Sequence, residues 1–353
     1  MSQIPKCTIN GREIGPGHPV YVIAEMSGNH NQSFDRAVEI IHAAKEAGAD
    51  ALKLQTYTAD TITIDSDREY FQVKGDTLWD GQTLYGLYDQ AHTPWDWQPR
   101  LKAVADSLSI DLFSSPFDRS AVDFLEEMGV PAFKVASPEL MDHPLLVRIA
   151  QTGKPIIMST GMATLAEIDE AVGVIESVNS DCDLVLLKCT ADYPARPQEM
   201  NLKTIPHLSE TFNVPVGLSD HSMGGEVAVS AVSLGACVVE KHVALSRNDP
   251  GPDTEFSMEP AEFADMVSQI RTVEQALGQV HYGPTSREEY GRQFRRSLFV
   301  AEDISAGEEI TERNVRSVRP GQGLHTRHLE EVVGRRAREA LEKGTPLSWE
   351  MLE

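Results

Sequence analysis

The stretch FDRAVEIIHAAKEAGADALKLQT, residues 34–56, carries two periodicities in succession. Its first part places apolar residues three and four apart and stops at Gly48, the pattern of a helix packed on one face. Its second part, Ala51–Gln55, is a short apolar run of the kind that forms a strand buried on both faces. The alternation recurs along the chain. Apolar runs stand at Val20–Ala24, Ala51–Gln55, Ile110–Ser114, Ala132–Ala136, Pro155–Ser159, Leu184–Lys188, Pro215–Leu218 and Val238–Lys241, with helical segments such as AVDFLEEMGV and LAEIDEAVGVIESV between them. Apolar strands separated by helices imply a parallel sheet covered by helices. Eight repeats fit a closed (β/α)8 TIM barrel better than an open doubly wound sheet, and no GxGxxG follows the first run.

The 353 residues suit such a barrel of about 250 residues with a small appendage. Acidic residues outnumber basic ones, 54 to 31, for a net charge of −23 with histidines neutral. Polyanion binding needs clustered Lys and Arg to displace counterions, so nucleic acid is not expected as a partner. No apolar run approaches the roughly 20 residues of a membrane helix. The start, MSQIPKCTINGREIG, lacks the charged-then-apolar layout of a signal peptide, so a cytoplasmic protein is expected. Cys7, Cys182, Cys189 and Cys237 contain no CxxC pair and are expected to be reduced core thiols.

The loop after the second run, about Thr56 to Pro94, is the longest, with Tyr70, Phe71, Trp79, Tyr85 and Tyr88 in it and Trp95 and Trp97 beside it. A connection of that length reads as a lid or pocket wall, the alternative being an inserted hairpin that packs on the barrel. After the last barrel helix, HYGPTSREEYGRQF is polar and turn-rich. The expected division is therefore a barrel over residues 1–282, a linker over 283–294 and a small Arg-rich domain over 295–353. About sixty residues is marginal for an independent core, so that module is expected to dock, on a partner's barrel or on its own.

Barrel enzymes collect their chemistry where strands run into the following loops. Those positions hold Glu25; Lys53 and Gln55; Ser114 and Ser115; Lys134, Ser137 and Glu139; Ser159 and Thr160; Lys188 and Tyr193; Ser219, Asp220 and His221; Glu240 and His242. A buried lysine costs several kcal/mol without a counter-charge, so Lys53 and Lys134 suggest an anionic ligand. The competing reading pairs them with Glu25, Glu139 or Glu240 in a structural network. His221 and His242 end neighbouring strands, where two imidazoles can share a divalent ion with open positions, such as manganese, magnesium or zinc. His30 either faces the barrel mouth or caps the next helix. Ser137 and Ser159-Thr160-Gly161 add hydroxyls and backbone N–H groups that suit a phosphate or carboxylate, although such residues also cap helices.

These motifs can be set beside a known pattern. IAEMSGNHN, ADALKLQTYTAD, FKVAS, IIMSTGMA, LLKCTADYPA, VGLSDHS and VVEKH resemble the sialic acid synthase family, and RRSLFVAEDISAGEEIT…SVRPGQGL resembles its antifreeze-like (SAF) domain. The resemblance covers nearly the whole chain. LWDGQTLYGLYDQAHTPWDWQ, SSPFDRSAVDFLEEMGVPAFK, SVRPGQGLH and GTPLSWE look most like the pseudaminic branch of that family.

The resemblance implies a metal-dependent condensation of phosphoenolpyruvate with an acetamido sugar, giving a nine-carbon α-keto acid and phosphate. For this branch the sugar is 2,4-diacetamido-2,4,6-trideoxy-L-altrose; the neuraminic and legionaminic branches are the alternatives. It implies that His221 and His242 hold the ion, Mn2+ or Mg2+, and that Lys53, Lys134, Ser137, Ser159 and Thr160 bind phosphoenolpyruvate. Glu25 goes to the sugar end near the metal, Gln55 is a substrate-binding residue, Glu139 lies near the reacting enol carbon, and Tyr193 and Asp220 line the sugar pocket. Either Glu139 or Glu25 takes the proton of the attacking water. Arg319 reaches the acetamido group from the partner's antifreeze-like domain in a domain-swapped homodimer, with an aromatic from Tyr290 or Phe294. Two matches fail: no Asn stands between Leu54 and Leu101, where the family has one, and Pro138 is unexpected beside Glu139. More distant alternatives are another barrel lyase or aldolase and a non-catalytic sugar-binding protein.

Overall fold

The computed structural model describes residues 4–74 and 79–353. An antiparallel hairpin comes first, β1 (Cys7–Ile9) and β2 (Arg12–Ile14). It turns at Asn10 and Gly11, with φ of 48° and 78°, a conformation that the Asn-Gly pair adopts with little strain. Eight further strands follow: β3 (Tyr21–Glu25), β4 (Ala51–Thr56), β5 (Asp111–Pro116), β6 (Phe133–Val135), β7 (Ile156–Ser159), β8 (Leu184–Cys189), β9 (Val216–Asp220) and β10 (Val238–His242). They pair in parallel in the order β10-β3-β4-β5-β6-β7-β8-β9, and β9 pairs with β10 to close a barrel. These are the eight apolar runs read from the sequence, with ends displaced by at most two residues.

Side-chain alternation along each strand decides what faces the helices and what faces the barrel axis. Val22, Ala24, Leu52 and Leu54 pack outward against the helix Phe34–Glu46, whose Ala37, Ile40, Ile41 and Ala44 are fully buried. Burying each such Leu or Ile contributes roughly 1.5–3 kcal/mol. Tyr21, Ile23, Ala51 and Phe113 share the other core with Cys7, Ile9 and Ile14 of the hairpin, at the amino ends of the strands. Glu25, Lys53 and Gln55 have the parity of this inner set, so an apolar plug lies beneath a polar upper layer. Space inside is tight: a Cβ on Gly217 would lie 2.3 Å from the Val238 carbonyl oxygen and 2.8 Å from Leu187 Cδ2.

The long segment between β4 and β5 is partly helical, with turns at Ala59–Ile62 and Glu69–Phe71 and a helix over Leu84–Ala91; its residues 75–78 lie outside the described part. Residues 279–353 form a second compact unit. Within it, β11 (Ser297–Val300) and β12 (Val315–Val318) pair antiparallel beside a core that includes Leu298, Val300, Ile304, Ile310, Val315 and Leu347. A 3-10 helix at Glu289–Phe294 brings Tyr290 and Phe294 edge-on at 5.7 Å, and Gln293 accepts a backbone hydrogen bond from Gly321 of the same unit. The four cysteines are free thiols; Cys182 is only half-buried. Among the described residues no helix is long and apolar enough to cross a membrane.

Candidate active site

A cavity of about 420 Å³ opens at the carboxyl ends of the barrel strands, where Glu25, Lys53, Gln55, Lys134, Ser219, Glu240 and His242 reach one space. A larger hollow of about 1000 Å³ lies at the opposite end, lined by Arg12, Asp50, Arg271 and Glu274 among others. Those four charges already pair with one another, Arg12 and Arg271 with Asp50 and Arg271 with Glu274. The chemistry therefore belongs to the smaller cavity.

Strand register builds a charge network there. Glu25 sits opposite Lys53 on one neighbour and His242 on the other. Lys53 Nζ lies 3.0 Å from Glu25 Oε2 and 3.5 Å from Glu240 Oε1, and donates to Ser115 Oγ at 3.3 Å. Lys134 Nζ lies 4.0 Å from Glu240 Oε1 and donates to Ser159 Oγ at 2.7 Å and to the Val135 carbonyl at 2.8 Å. Gln55 Nε2 donates to Glu25 Oε1 at 3.0 Å and to Ser27 Oγ at 3.2 Å, while Ser219 Oγ donates to Glu240 Oε1 at 3.1 Å.

Both lysines thus meet carboxylates, as the structural-network reading expects, and both line the open cavity, as the anion reading expects. Burial pushes the Glu25 carboxyl up, only partly offset by Lys53. Burial opposes ionisation of Glu240 as well, but Lys134 and Lys53 outweigh it and hold that carboxyl low. Burial pulls Lys134 down. The network is poised for an added anion, which would favour the charged lysine. Glu139, in the 3-10 turn Pro138–Met141, is pushed up to about 7 by burial, and its Oε2 is buried without a hydrogen-bond partner.

The rings of His221 and His242 stand 5.3 Å apart, centroid to centroid. His221 Nδ1 lies 2.9 Å from the Thr190 carbonyl oxygen, which can only accept, so in the neutral ring the proton is on Nδ1 and the Nε2 lone pair is free. Burial pulls His242 well below the usual range, leaving it neutral, and its Nδ1 is buried without a hydrogen-bond partner. Burial opposes the charge on His221, but Cys189, the Thr190 carbonyl and Glu240 outweigh it and raise that imidazole, so an ion there takes the place of a proton on Nε2. With His242 neutral, the two rings then fit a divalent ion. No group of three or more His, Cys, Asp or Glu suited to a metal occurs among the described residues.

Other expected residues divide by strand parity. Ser137, Ser159 and Tyr193 line the cavity, the tyrosine ring 4.4 Å from His221 and 6.4 Å from His242. Ser137 Oγ accepts from the Gly161 N–H at 3.0 Å. Asp220 does not reach the cavity. It follows inward-facing Ser219, so it turns to the helix side, where it accepts from Lys241 Nζ at 2.7 Å and from Ser222 Oγ at 2.6 Å. Thr160 likewise follows inward Ser159 and spends its hydroxyl on the Leu187 carbonyl at 3.0 Å. His30 is buried away from the mouth against Thr93 and Trp97, and Ser33 caps the helix instead. Arg319 is exposed in the second unit.

Sequence reasoning missed Asp253 and the role of Cys189. Asp253 comes from the loop after β10; it lines the cavity, accepts from Ser27 Oγ, and lies 3.9 Å from His242 Nδ1. Scanning that loop, DPGPD, for an acid would have found it. Cys189 ends β8, which is itself the signal, and its Sγ lies 3.9 Å from His221 Nδ1 at the cavity wall.

Known proteins share this architecture. The NeuB family matches residues 40–282 and the SAF domain matches residues 295–353. The pseudaminic acid synthase of Helicobacter pylori is 42% identical over 95% of this chain and 98% of its own. That of Campylobacter jejuni serotype O:2 is 44% identical over 93% of this chain and 95% of its own. A crystal structure of the N-acetylneuraminic acid (sialic acid) synthetase from Leptospira borgpetersenii, in complex with citrate, superposes with a TM-score of 0.73 at 29% identity, covering 82% of this chain and 96% of that one. With the family matched across the barrel and relatives above 40% identity along nearly the whole length, the chain belongs to the NeuB family.

Proposed function

We propose that this chain is a pseudaminic acid synthase, condensing phosphoenolpyruvate with 2,4-diacetamido-2,4,6-trideoxy-L-altrose to give the nine-carbon keto acid and phosphate. The observation that carries the reading is one cavity holding two buried lysines beside two imidazoles with free nitrogens. The extent of likeness to two pseudaminic acid synthases supports the branch.

Lys53 and Lys134 bind the carboxylate and phosphate of phosphoenolpyruvate, with Ser137 and Ser159 completing the hydrogen bonds. Glu25 and Gln55, tied to each other at 3.0 Å, orient the sugar's aldehyde end, and Tyr193 walls the sugar. A divalent ion held by His221 and His242, manganese or magnesium, supplies Lewis-acid polarisation of the aldehyde oxygen when bound. The π electrons of phosphoenolpyruvate form the bond from its methylene carbon to the aldehyde carbon, leaving the enol carbon cationic. The aldehyde oxygen takes up a proton from solvent, matched by the one that Glu139 later returns to it. Water adds to the cationic enol carbon and gives its proton to Glu139, whose unpartnered Oε2 and value near 7 suit a base at neutral pH. Collapse of the tetrahedral carbon to the ketone breaks its bond to the phosphate oxygen, which leaves with the electron pair and takes the hydroxyl proton as hydrogen phosphate, and the lysines offset its charge. Thr160 and Asp220 serve the barrel rather than the substrate.

The same reading assigns a domain-swapped homodimer in which exposed Arg319 of one chain serves the sugar bound by another, and a cytoplasmic location, where phosphoenolpyruvate is made. Its support is the family resemblance of the SVRPGQGL motif.

Phosphate release from phosphoenolpyruvate tests the function, with manganese present, the diacetamido-trideoxy-altrose in one reaction and N-acetylmannosamine in another, each with and without chelator. Release with the altrose sugar alone, abolished by chelator, is expected. Release with N-acetylmannosamine moves the chain to the neuraminic branch, and silence throughout ends the enzymatic reading.

A further inference from the structure

The helix Leu84–Ala91 has an apolar stripe, and the stripe does not face the core. Leu84, Leu87, Tyr88 and Ala91 recur at the spacing of one helical face, and all four line the cavity that holds the lysines and imidazoles. None of the helix's residues is fully buried. An amphipathic helix ordinarily turns such a stripe to the interior, where burial stabilises it. Here Thr83 caps the helix, its Oγ accepting from the Gly86 N–H at 3.0 Å. Tyr57 braces the wall, edge-on to Tyr88 at 5.7 Å and to Phe117 at 5.1 Å. A half-exposed apolar wall thus stands in the same cavity as Lys53, Lys134, Glu25 and Glu240, and it suits a ligand that is charged or polar at one end and apolar at the other.

We infer that this stripe reads the 6-deoxy terminus of the sugar. The inference rests on the proposed function. In that substrate the aldehyde carbon must sit among the charged groups, which leaves the C6 methyl at the far end of the carbon chain. A C6 hydroxyl placed against Leu84 and Leu87 would lose water and find no partner on those two side chains. An apolar pocket of this kind rejects an added hydroxyl by up to about a hundredfold.

The test compares kcat/KM for 2,4-diacetamido-2,4,6-trideoxy-L-altrose and for its counterpart bearing a C6 hydroxyl, in the wild-type chain and in Leu87→Asn. The ratio of the two values in one preparation does not depend on how much of it is active. The wild type is expected to favour the deoxy sugar about tenfold to a hundredfold, and Leu87→Asn to lower that ratio at least about fivefold, mainly through KM. Leu84→Asn, one turn away on the same stripe, gives the same readout if Leu87→Asn does not fold. An unchanged ratio in an active variant, or a wild type without preference, overturns the assignment while leaving the function standing. That outcome also covers the case in which the stripe meets the acetamido methyls, which both sugars share. Silence of the wild type with both sugars sinks the function and this inference with it.

Discussion

Replacing Glu240 by glutamine removes the negative charge shared by the two active-site lysines while keeping the side chain's size. Its Oε1 lies 3.5 Å from Lys53 Nζ and 4.0 Å from Lys134 Nζ, and both lysines are almost fully buried. At an effective dielectric constant near 20, each such contact is worth about 4 kcal/mol before desolvation. Desolvation of each ion takes back several kcal/mol, so the net cost of breaking the network is on the order of 3–5 kcal/mol, a large share of a typical folding free energy. Chemical denaturation of the wild type and Glu240→Gln in phosphate-free buffer measures it. Repeating both melts with phosphate, and then with phosphoenolpyruvate, adds the decisive comparison. If the lysines form an anion site, the ligand's charge replaces the missing carboxylate, and the midpoint of the variant should rise more than that of the wild type. A loss below about 1 kcal/mol, or equal anion stabilisation of the two proteins, would refute the reasoning, because either result would mean that Glu240 does not hold the lysine charges.

Glu139, raised to about 7, accepts a proton only when ionised, so phosphate release at saturating substrates should rise with pH up to about 7 and then level off; Glu139→Gln should lose that limb. The same upward shift stabilises the fold fully below the ordinary carboxyl value of 4.5 and is lost as pH rises through about 7, so denaturation across that window should show the wild type losing stability relative to Glu139→Gln. Asp220→Asn breaks the buried pair with Lys241 at 2.7 Å and should lower stability on the order of 3–5 kcal/mol while leaving the sugar KM of the folded fraction unchanged; a tenfold rise in that KM at normal stability would return Asp220 to the pocket. Gly217→Ala forces a Cβ to within 2.3 Å of the Val238 carbonyl oxygen and should cost about 1–3 kcal/mol or more by calorimetry, whereas wild-type stability would mean that the barrel interior yields.

The barrel could be read directly from the chain because its signals are local. An apolar run and the helix after it are specified by residues a few positions apart, and eight repeats leave few closed arrangements. Lys53, Lys134, His221 and His242 stand out in the chain for the same reason: each is a polar residue in or just after a run that is otherwise apolar. Parity was the weak point. Ser219 and Asp220 are equally polar neighbours, as are Ser159 and Thr160, yet one of each pair lines the cavity while Asp220 pairs with Lys241 and Thr160 with the Leu187 carbonyl. Nothing within the strand says which; a side-chain period of two turns a one-residue ambiguity into opposite faces.

The contacts that make the site are of another kind. Glu25, Lys53, Lys134 and Glu240 come from four strands, and Asp253 reaches His242 from a loop beyond the last. Their meeting depends on closure of β10 onto β3 and on the stagger between strands, which no short segment encodes. The same is true of the apolar stripe on Leu84–Ala91, whose periodicity is visible in the chain but whose neighbour, a charged cavity rather than the core, is not. Secondary structure and strand order follow from nearby residues; the pairing of charges, and therefore the chemistry, follows from which distant residues the closed barrel brings within reach.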